Sequence, residues 1–275
     1  MIPICNLHSH TTFCDGANTP EEMVQAAIAS NLCSLGFSAH SSLILPKQNT
    51  DFSLRKAHEE AYRSEILRLK QVYGDQIEVL LGLELDYFSA LPEAKYDYLI
   101  GSVHYVCKDG SYIPMDLKVA QLKEGIQTLY GGNANAMAKD YFALVADVYQ
   151  KTRCQIVGHF DLLNKWDEKD PCFDLNDPVF RSAALEAADA LLQEDVLFEI
   201  NTGAMSRGWR TLPYPAEFIL KYLAQKNAKL ILTGDSHSAD AICFGYEVAL
   251  DYAKACGVKE LYVYRNGGFE GCLLS

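Results

Sequence analysis

Residues 229–237 read K-L-I-L-T-G-D-S-H, a short apolar run that ends in a carboxylate and an imidazole two positions apart. Four or five such residues between a polar segment and a glycine make a buried strand rather than a helix. The same unit recurs upstream, in runs at 2–7, 32–38, 77–85, 96–103, 154–158 and 196–200, and an eighth run stands at 260–264. Between the runs lie segments with helical periodicity, at 20–30, 54–73, 135–152, 176–194, 214–226 and 239–255. Two of them have marked starts. Thr19-Pro20-Glu21-Glu22 offers an N-cap, a proline in the first turn and two acids beside the helix dipole, and Asn176-Asp177-Pro178 repeats the cap and proline. Strands alternating with helices predict a parallel sheet covered on both faces. Seven or eight such units favour a barrel over an open sheet, and a barrel places its chemistry at the carboxyl ends of its strands.

Composition narrows the class. The chain has 275 residues, 49% hydrophobic and 22% charged, which is the balance of a globular protein and excludes disorder or collagen. Twenty-four basic against thirty-six acidic residues give a net charge of −12, a poor footprint for nucleic acid. No run is long and apolar enough for a membrane span; the longest charge-free stretch, 23–46, is broken by Gln25, Asn31, His40 and several serines. The opening M-I-P-I-C-N-L-H-S-H has neither the basic nor the apolar region of a signal peptide. Nine widely spaced cysteines contain no C-x-x-C pair, so reduced thiols and a cytoplasmic location are expected, with Cys14 less informative than its neighbours.

The seven histidines are placed unusually. His8 and His10 follow the first run, His40 the second, His104 the fourth, His159 the fifth and His237 the seventh; only His58 lies in a helical segment. A single histidine carries little information, but six at one rim of a barrel point to metal ligands. Carboxylates arrive at the same rim: Asp15 in T-F-C-D-G, Glu84 in L-G-L-E-L and Asp235 two residues before His237. In extended backbone H-x-H and D-x-H project to one side. Imidazole with carboxylate suits Zn²⁺, Mn²⁺ or Fe²⁺, and nine ligands exceed the positions of one ion and suit two or three.

Six motifs in order, H-S-H-T-T-F-C-D-G, G-F-S-A-H-S, G-L-E-L, G-S-V-H, G-H-F-D and G-D-S-H, resemble those of the polymerase and histidinol phosphatase (PHP) superfamily, closest to its stand-alone histidinol-phosphate phosphatase branch. The resemblance spans His8 to His237. It implies a distorted (β/α)7 TIM-like barrel, read as a single PHP-type domain over 1–275, with a trinuclear metal site and the eighth run peripheral. Carried over, His8, His10, Glu84 and Asp235 would hold the first ion. Glu84 would bridge to a second, completed by His104 and His159, and Asp15, His40 and His237 would hold the third. Some relatives carry histidine where this chain has Asp15, a harder ligand.

Such a centre, cationic inside an acidic protein, matches a phosphate monoester dianion. Bound ions bring the pKa of water towards ~7, so no side-chain nucleophile is needed, and the chain lacks G-x-S-x-G and the Walker sequence. The expectation is in-line attack by metal-activated hydroxide, with Asp235, Glu84 and His237 as catalytic residues and Asp235 or a neighbouring histidine assisting proton transfer. Arg207 in G-A-M-S-R-G-W and Lys165 in L-L-N-K-W, on rim loops, are the expected phosphate donors, in positions that resemble basic residues of related phosphatases. Asn201 either faces the site or caps a loop; Asp116 either meets a substrate amine or is a solvated loop acid; Asp161 either orients His159 or caps the next segment. The expected reaction, from the resemblance, is hydrolysis of L-histidinol phosphate to L-histidinol and phosphate, a step in histidine synthesis. The alternatives are a PHP phosphoesterase for nucleotides or other small phosphorylated metabolites, and an accessory module of a polymerase, which the acidic charge disfavours.

Overall fold

The computed structural model describes residues 3–46, 48 and 50–274. Ile2, the start of the first apolar run, lies outside the described residues. Nine strands form one sheet: β1 (Cys5–Asn6), β2 (Ser34–His40), β3 (Glu78–Asp86), β4 (Tyr98–Ser102), β7 (Ile156–Val157), β8 (Leu197–Asn201), β9 (Leu230–Thr233), β10 (Glu260–Arg265) and β11 (Gly268–Leu273), in that spatial order. A two-stranded hairpin, β5 (Tyr105–Lys108) and β6 (Ser111–Pro114), stands apart from it. Helices α1 (Pro20–Ala29), α2 (Glu59–Val72), α3 (Val119–Leu129), α4 (Ala134–Thr152), α5 (Pro178–Leu191), α6 (Gly203–Ser206), α7 (Glu217–Gln225) and α8 (Tyr246–Ala255) complete the chain.

Within the nine-stranded sheet every pairing from β1 to β10 is parallel, as the alternation of runs and helical segments predicts. The ladder does not close on itself. The segments after β1 and β9 meet instead at one parallel bridge beyond the strand tips, Ser9 to Ser236, where the His10 N–H donates to the Ser236 carbonyl (2.8 Å) and the Ser236 N–H to the His8 carbonyl (3.0 Å). This seam draws the H-x-H and D-x-H motifs together. The eighth run forms β10, which pairs with β9 only at Tyr262–Ile231 and then turns back antiparallel into β11. The hairpin leaves the barrel wall and crosses its amino-terminal mouth: the Ser34 hydroxyl donates to the Tyr264 carbonyl (2.7 Å) and the Gly267 N–H to Glu78 (3.0 Å). The wall itself is seven-stranded and distorted.

Inside the barrel, Leu7, Leu80, Tyr98, Ile100, Ile156 and Ile231 form a dry plug beneath the rim. Tyr98 is its largest member, and its hydroxyl donates to the Leu7 carbonyl. The ring fits only because β2 and β3 carry glycine opposite it; a Cβ at Gly36 or Gly82 would lie 2.3 or 2.2 Å from Tyr98 atoms. Outside the wall, α1 and α2 cover β2 and β3, while the remaining helices bury the faces of β4, β7, β8 and β9. The Thr19 signal is a full capping box, with the Thr19 hydroxyl accepting from the Glu22 N–H and Glu22 accepting from the Thr19 N–H. Asp177 caps α5 through the Val179 N–H at 2.7 Å.

Four boundaries differ from the sequence expectation. The segment at 54–73 opens with a 3₁₀ turn, Lys56–His58, before α2. The segment at 239–255 divides at Gly245, whose φ of 73° interrupts the helix. The helix expected at 214–226 begins only at Glu217, past Pro215. The stretch after His104, read as a loop, is the β5–β6 hairpin followed by α3. Its Asp109-Gly110 turn, with φ of 49° and 75°, is the usual two-residue hairpin turn, a readable signal.

Candidate metal centre

The nine residues singled out from the sequence converge at the carboxyl rim. His8 and His10 extend from β1, His40 ends β2, Glu84 lies in β3, and His104, His159, Asp235 and His237 follow β4, β7 and β9. Asp15 reaches the same place from a tight turn closed by the Cys14 and Gly16 N–H groups on the Thr11 carbonyl.

Glu84 is the hub. Its Oε1 lies 3.0 Å from His159 Nε2 and 3.3 Å from His104 Nε2; its Oε2 lies 2.8 Å from His40 Nδ1, 3.4 Å from His8 Nε2 and 3.7 Å from His10 Nε2. Asp235 Oδ1 is 3.2 Å from His10 Nε2 and 3.5 Å from His237 Nδ1. Asp15 stands 3.3 Å from His237 Nε2 and 3.7 Å from His40 Nε2. The rings of His40 and His237 both stack against His10, at 4.3 and 4.2 Å. Among the described residues, four overlapping groups of donors could hold a metal ion: His10, Asp15, His40 and His237; His8, Glu84 and His159; His8, His10 and Asp235; His40, Glu84 and His104.

The donor set fits cations. His8 Nε2, His10 Nε2 and Glu84 Oε2 are buried and make no well-aligned hydrogen bond, although His40 Nδ1 lies 2.8 Å from Glu84 Oε2 and Asp235 3.2 Å from His10 Nε2, and all three face one another across the hub. Leaving a buried polar atom unmet costs about 1–3 kcal/mol, so three in contact are hard to explain unless something positive sits among them. Electrostatics agrees. Burial pushes His8 down, but Glu199, Glu84 and Asp235 together hold it well above the usual imidazole range, and His104 is raised against burial chiefly by Glu84. Glu84 and Asp235 stay far below the usual carboxylate range despite burial, Glu84 through His40 and His8, Asp235 through Arg207 and His8. His10, unlike His8 and His104, falls, to about 3, through burial and its neighbours His237 and His40. Asp235 also holds a left-handed backbone, φ 44°, rare for a residue other than glycine and a form of strain that clusters at functional sites.

Two buried acids escaped the sequence reading. Glu199 Oε1 lies 2.7 Å from His8 Nδ1, while its Oε2 accepts from the His159 N–H (2.9 Å) and the Asn201 amide (2.9 Å). Asp86 Oδ2 lies 3.1 Å from His104 Nδ1 and accepts from the His104 N–H. Each fixes the ring so that Nε2 faces the hub, the role that supporting carboxylates play around metal-bound histidine. A charged residue inside an apolar run, L-F-E-I-N and L-E-L-D, was the available signal. Asp161 does not reach His159. Nor does its side chain cap the next segment: its Oδ2 accepts from the Asn164 side-chain amide and the Ala216 N–H at 2.9 Å each, tying two rim loops together. Asn201 serves Glu199 and the loop, accepting from the Gly203 N–H, and His58 is exposed, remote from the hub.

A cavity of about 240 Å³ opens over the cluster, and both Arg207 and Lys165 line it. Arg207 Nη2 donates to Asp235 (3.1 Å) and Nη1 lies 2.9 Å from His237 Nδ1. Lys165 Nζ donates to the Asp116 carbonyl at 2.6 Å. A larger hollow, about 550 Å³, lies between the first turns of α2 and the loop after β3, and none of the nine residues lines it. Cys14 stands 3.6 Å from His10 Nδ1, and burial, then Asp15, pushes its thiol up to about 12.

Comparison with known proteins finds relatives along nearly the whole chain. A Schizosaccharomyces pombe protein named "Probable histidinol-phosphatase" is 30% identical, covering 97% of this chain and 90% of the relative. The histidinol-phosphatase of Bacillus subtilis is 26% identical over 89% of this chain and 97% of its own. In fold, the chain is similar to the crystal structure of histidinol phosphate phosphatase from Lactococcus lactis complexed with zinc, L-histidinol and phosphate, with a TM-score of 0.75, 23% identity and coverage of 98% and 100%. Residues 6–203 match the PHP domain, and the chain belongs to the PHP domain family.

Proposed function

We propose that the protein is a metal-dependent phosphomonoesterase that hydrolyses L-histidinol phosphate to L-histidinol and phosphate, the activity for which its relatives in S. pombe and B. subtilis are named. The observation that carries the reading is the buried hub around Glu84, with unpartnered nitrogen and oxygen atoms facing inward and two cationic side chains at its mouth. His8, His10, Glu84 and Asp235 would hold one divalent ion, Glu84, His104 and His159 a second, and Asp15, His40 and His237 a third. His40 also contacts Glu84 and so links the last two groups. When bound, zinc, manganese or iron supplies positive charge for the phosphate dianion and acidifies water.

The chain's own groups do the rest. Arg207 presents a planar pair of donors to phosphate oxygens, and Lys165, held by the Asp116 carbonyl, presents a second positive charge. Asp235, ionised and backed by Arg207, is placed to take the proton of the attacking water, with His237 beside it at 3.5 Å. The P–O ester bond breaks as the new P–O bond forms in line, and the proton ends on the departing alcohol. The small cavity suits a metabolite, and the net charge of −12 disfavours nucleic acid. A single catalytic domain over 1–275 and a cytoplasmic location complete the reading. Nine free cysteines support that location, and no described helix is long and apolar enough to cross a membrane.

Steady-state phosphate release tests the substrate. Histidinol phosphate should exceed a panel of nucleotides and sugar phosphates in kcat/KM by about 100-fold, or ~2.7 kcal/mol. Equal turnover across the panel would leave a general phosphoesterase in its place.

A further inference from the structure

His8, His104 and His159 all turn Nε2 to Glu84, and the first two have a carboxylate behind the ring, Glu199 on His8 Nδ1 and Asp86 on His104 Nδ1. His159 has none. It is 2% exposed, its Nε2 lies 3.0 Å from Glu84 Oε1, and its Nδ1 has no hydrogen-bond partner among the described residues. Three further buried atoms of the same region are unmatched in the same way: the Tyr214 hydroxyl, Asp161 Oδ1 and Asn164 Oδ1. The Tyr214 ring stands edge-on to the His159 ring at 6.5 Å. Asp161 follows His159 by two residues. Its Oδ2, through the Asn164 amide and the Ala216 N–H, ties the segment that carries Tyr214 to the loop after β7.

The four atoms complement one another in number and kind. With Nε2 turned to the hub, the His159 proton belongs on Nδ1, a donor. Burial holds the Tyr214 phenol well above its usual range, with Arg210 and Asp161 the charges that act on it most, so it too is a donor. Asp161 Oδ1 is an acceptor, and so is Asn164 Oδ1, because the Asn164 amide nitrogen is spent on Asp161. Two donors and two acceptors are what one water molecule bonds, and buried waters collect such groups. We infer that a single enclosed water joins His159 Nδ1 to Tyr214, Asp161 and Asn164, and that these three are positioning residues for His159. The water does for His159 what Glu199 and Asp86 do for His8 and His104. The neighbouring Tyr141 takes no part, since its hydroxyl donates to the Phe160 carbonyl and accepts from the Leu162 N–H, at 3.2 Å each. The inference rests on the reading of His159 as a metal ligand and adds to it what holds the ring.

The test uses the full chain, stripped and reloaded with zinc, as wild type and as Tyr214→Phe. Phenylalanine keeps the ring and removes one of the water's four partners. In metal-buffered titration the zinc affinity of the variant should fall by about tenfold or more, the usual loss when the support behind a metal-bound histidine is removed, while KM for a phosphate monoester at saturating zinc changes far less. A high-resolution crystal structure of zinc-loaded wild type should place one water about 2.7–3.2 Å from all four atoms. A direct protein partner on His159 Nδ1 in that structure would overturn the inference. So would a variant that binds zinc as wild type does, whatever its melting temperature, since a residue that only packs changes stability alone. Wild-type protein that takes up no zinc at Glu84 would instead refute the metal-centre reading itself.

Discussion

Glu199→Gln is the sharpest perturbation of the centre, because it changes a charge without changing a shape. Glu199 is fully buried and accepts hydrogen bonds on both oxygens: one faces His8 Nδ1 at 2.7 Å, the other the His159 N–H and the Asn201 amide. Glutamine must turn its NH₂ towards one of these. Turned to His159 and Asn201, it meets two donors that have no alternative. Turned to His8, it forces Nδ1 to become the acceptor, so the proton moves to Nε2, the atom that faces Glu84. A protonated Nε2 is no ligand. Loss of a charge-assisted bond is worth about 1.5–3 kcal/mol. Replacing a carboxylate that supports a metal-bound histidine typically costs about 10–100-fold in metal affinity, or ~1.4–2.7 kcal/mol, a range that agrees with the first. Titration of stripped enzyme with zinc or manganese in metal-buffered solution should show this loss, and kcat at saturating metal should recover at least in part. A variant with wild-type metal affinity and wild-type kcat/KM would show that the Glu199–His8 bond does not set the ring, and the account of the inner shell would fail.

Other outcomes follow from the same geometry. Glu84→Gln should lose metal and phosphatase activity together, since Glu84 touches five histidines; elemental analysis beside phosphate release checks this, and full turnover by chelator-stripped wild type would contradict metal dependence. Arg207→Gln should raise KM for phosphate monoesters by about tenfold or more with metal content retained, because a bidentate charged contact is lost; an unchanged KM would remove Arg207 from phosphate binding. Cys14 should resist alkylation. Its thiol is pushed from 9.0 up to about 12, so it remains protonated at pH 8 and the thiolate is scarcer than for an ordinary cysteine; rapid modification in the native protein, read by mass spectrometry, would contradict that environment.

Much of the barrel could be read along the chain because its information is local. The apolar runs at 32–38, 77–85 and 229–233 needed only composition and length, and the α1 and α5 starts only their caps and prolines. The ligands could be read because all but Asp15, which comes from the turn after the first run, end or closely follow such a run, and the rim of a parallel barrel collects whatever its strands end with. Glu199 and Asp86 could not be placed in the same way. Their roles depend on which histidine stands opposite, 191 and 18 residues away in the chain, and strand register alone settles that. The same holds for Asp161, whose partner Ala216 comes from a distant loop. Residue type and spacing state what chemistry a side chain can do; which groups share its surroundings, and so its charge and its orientation, emerges only when distant strands assemble around one core and water is excluded from the space between them.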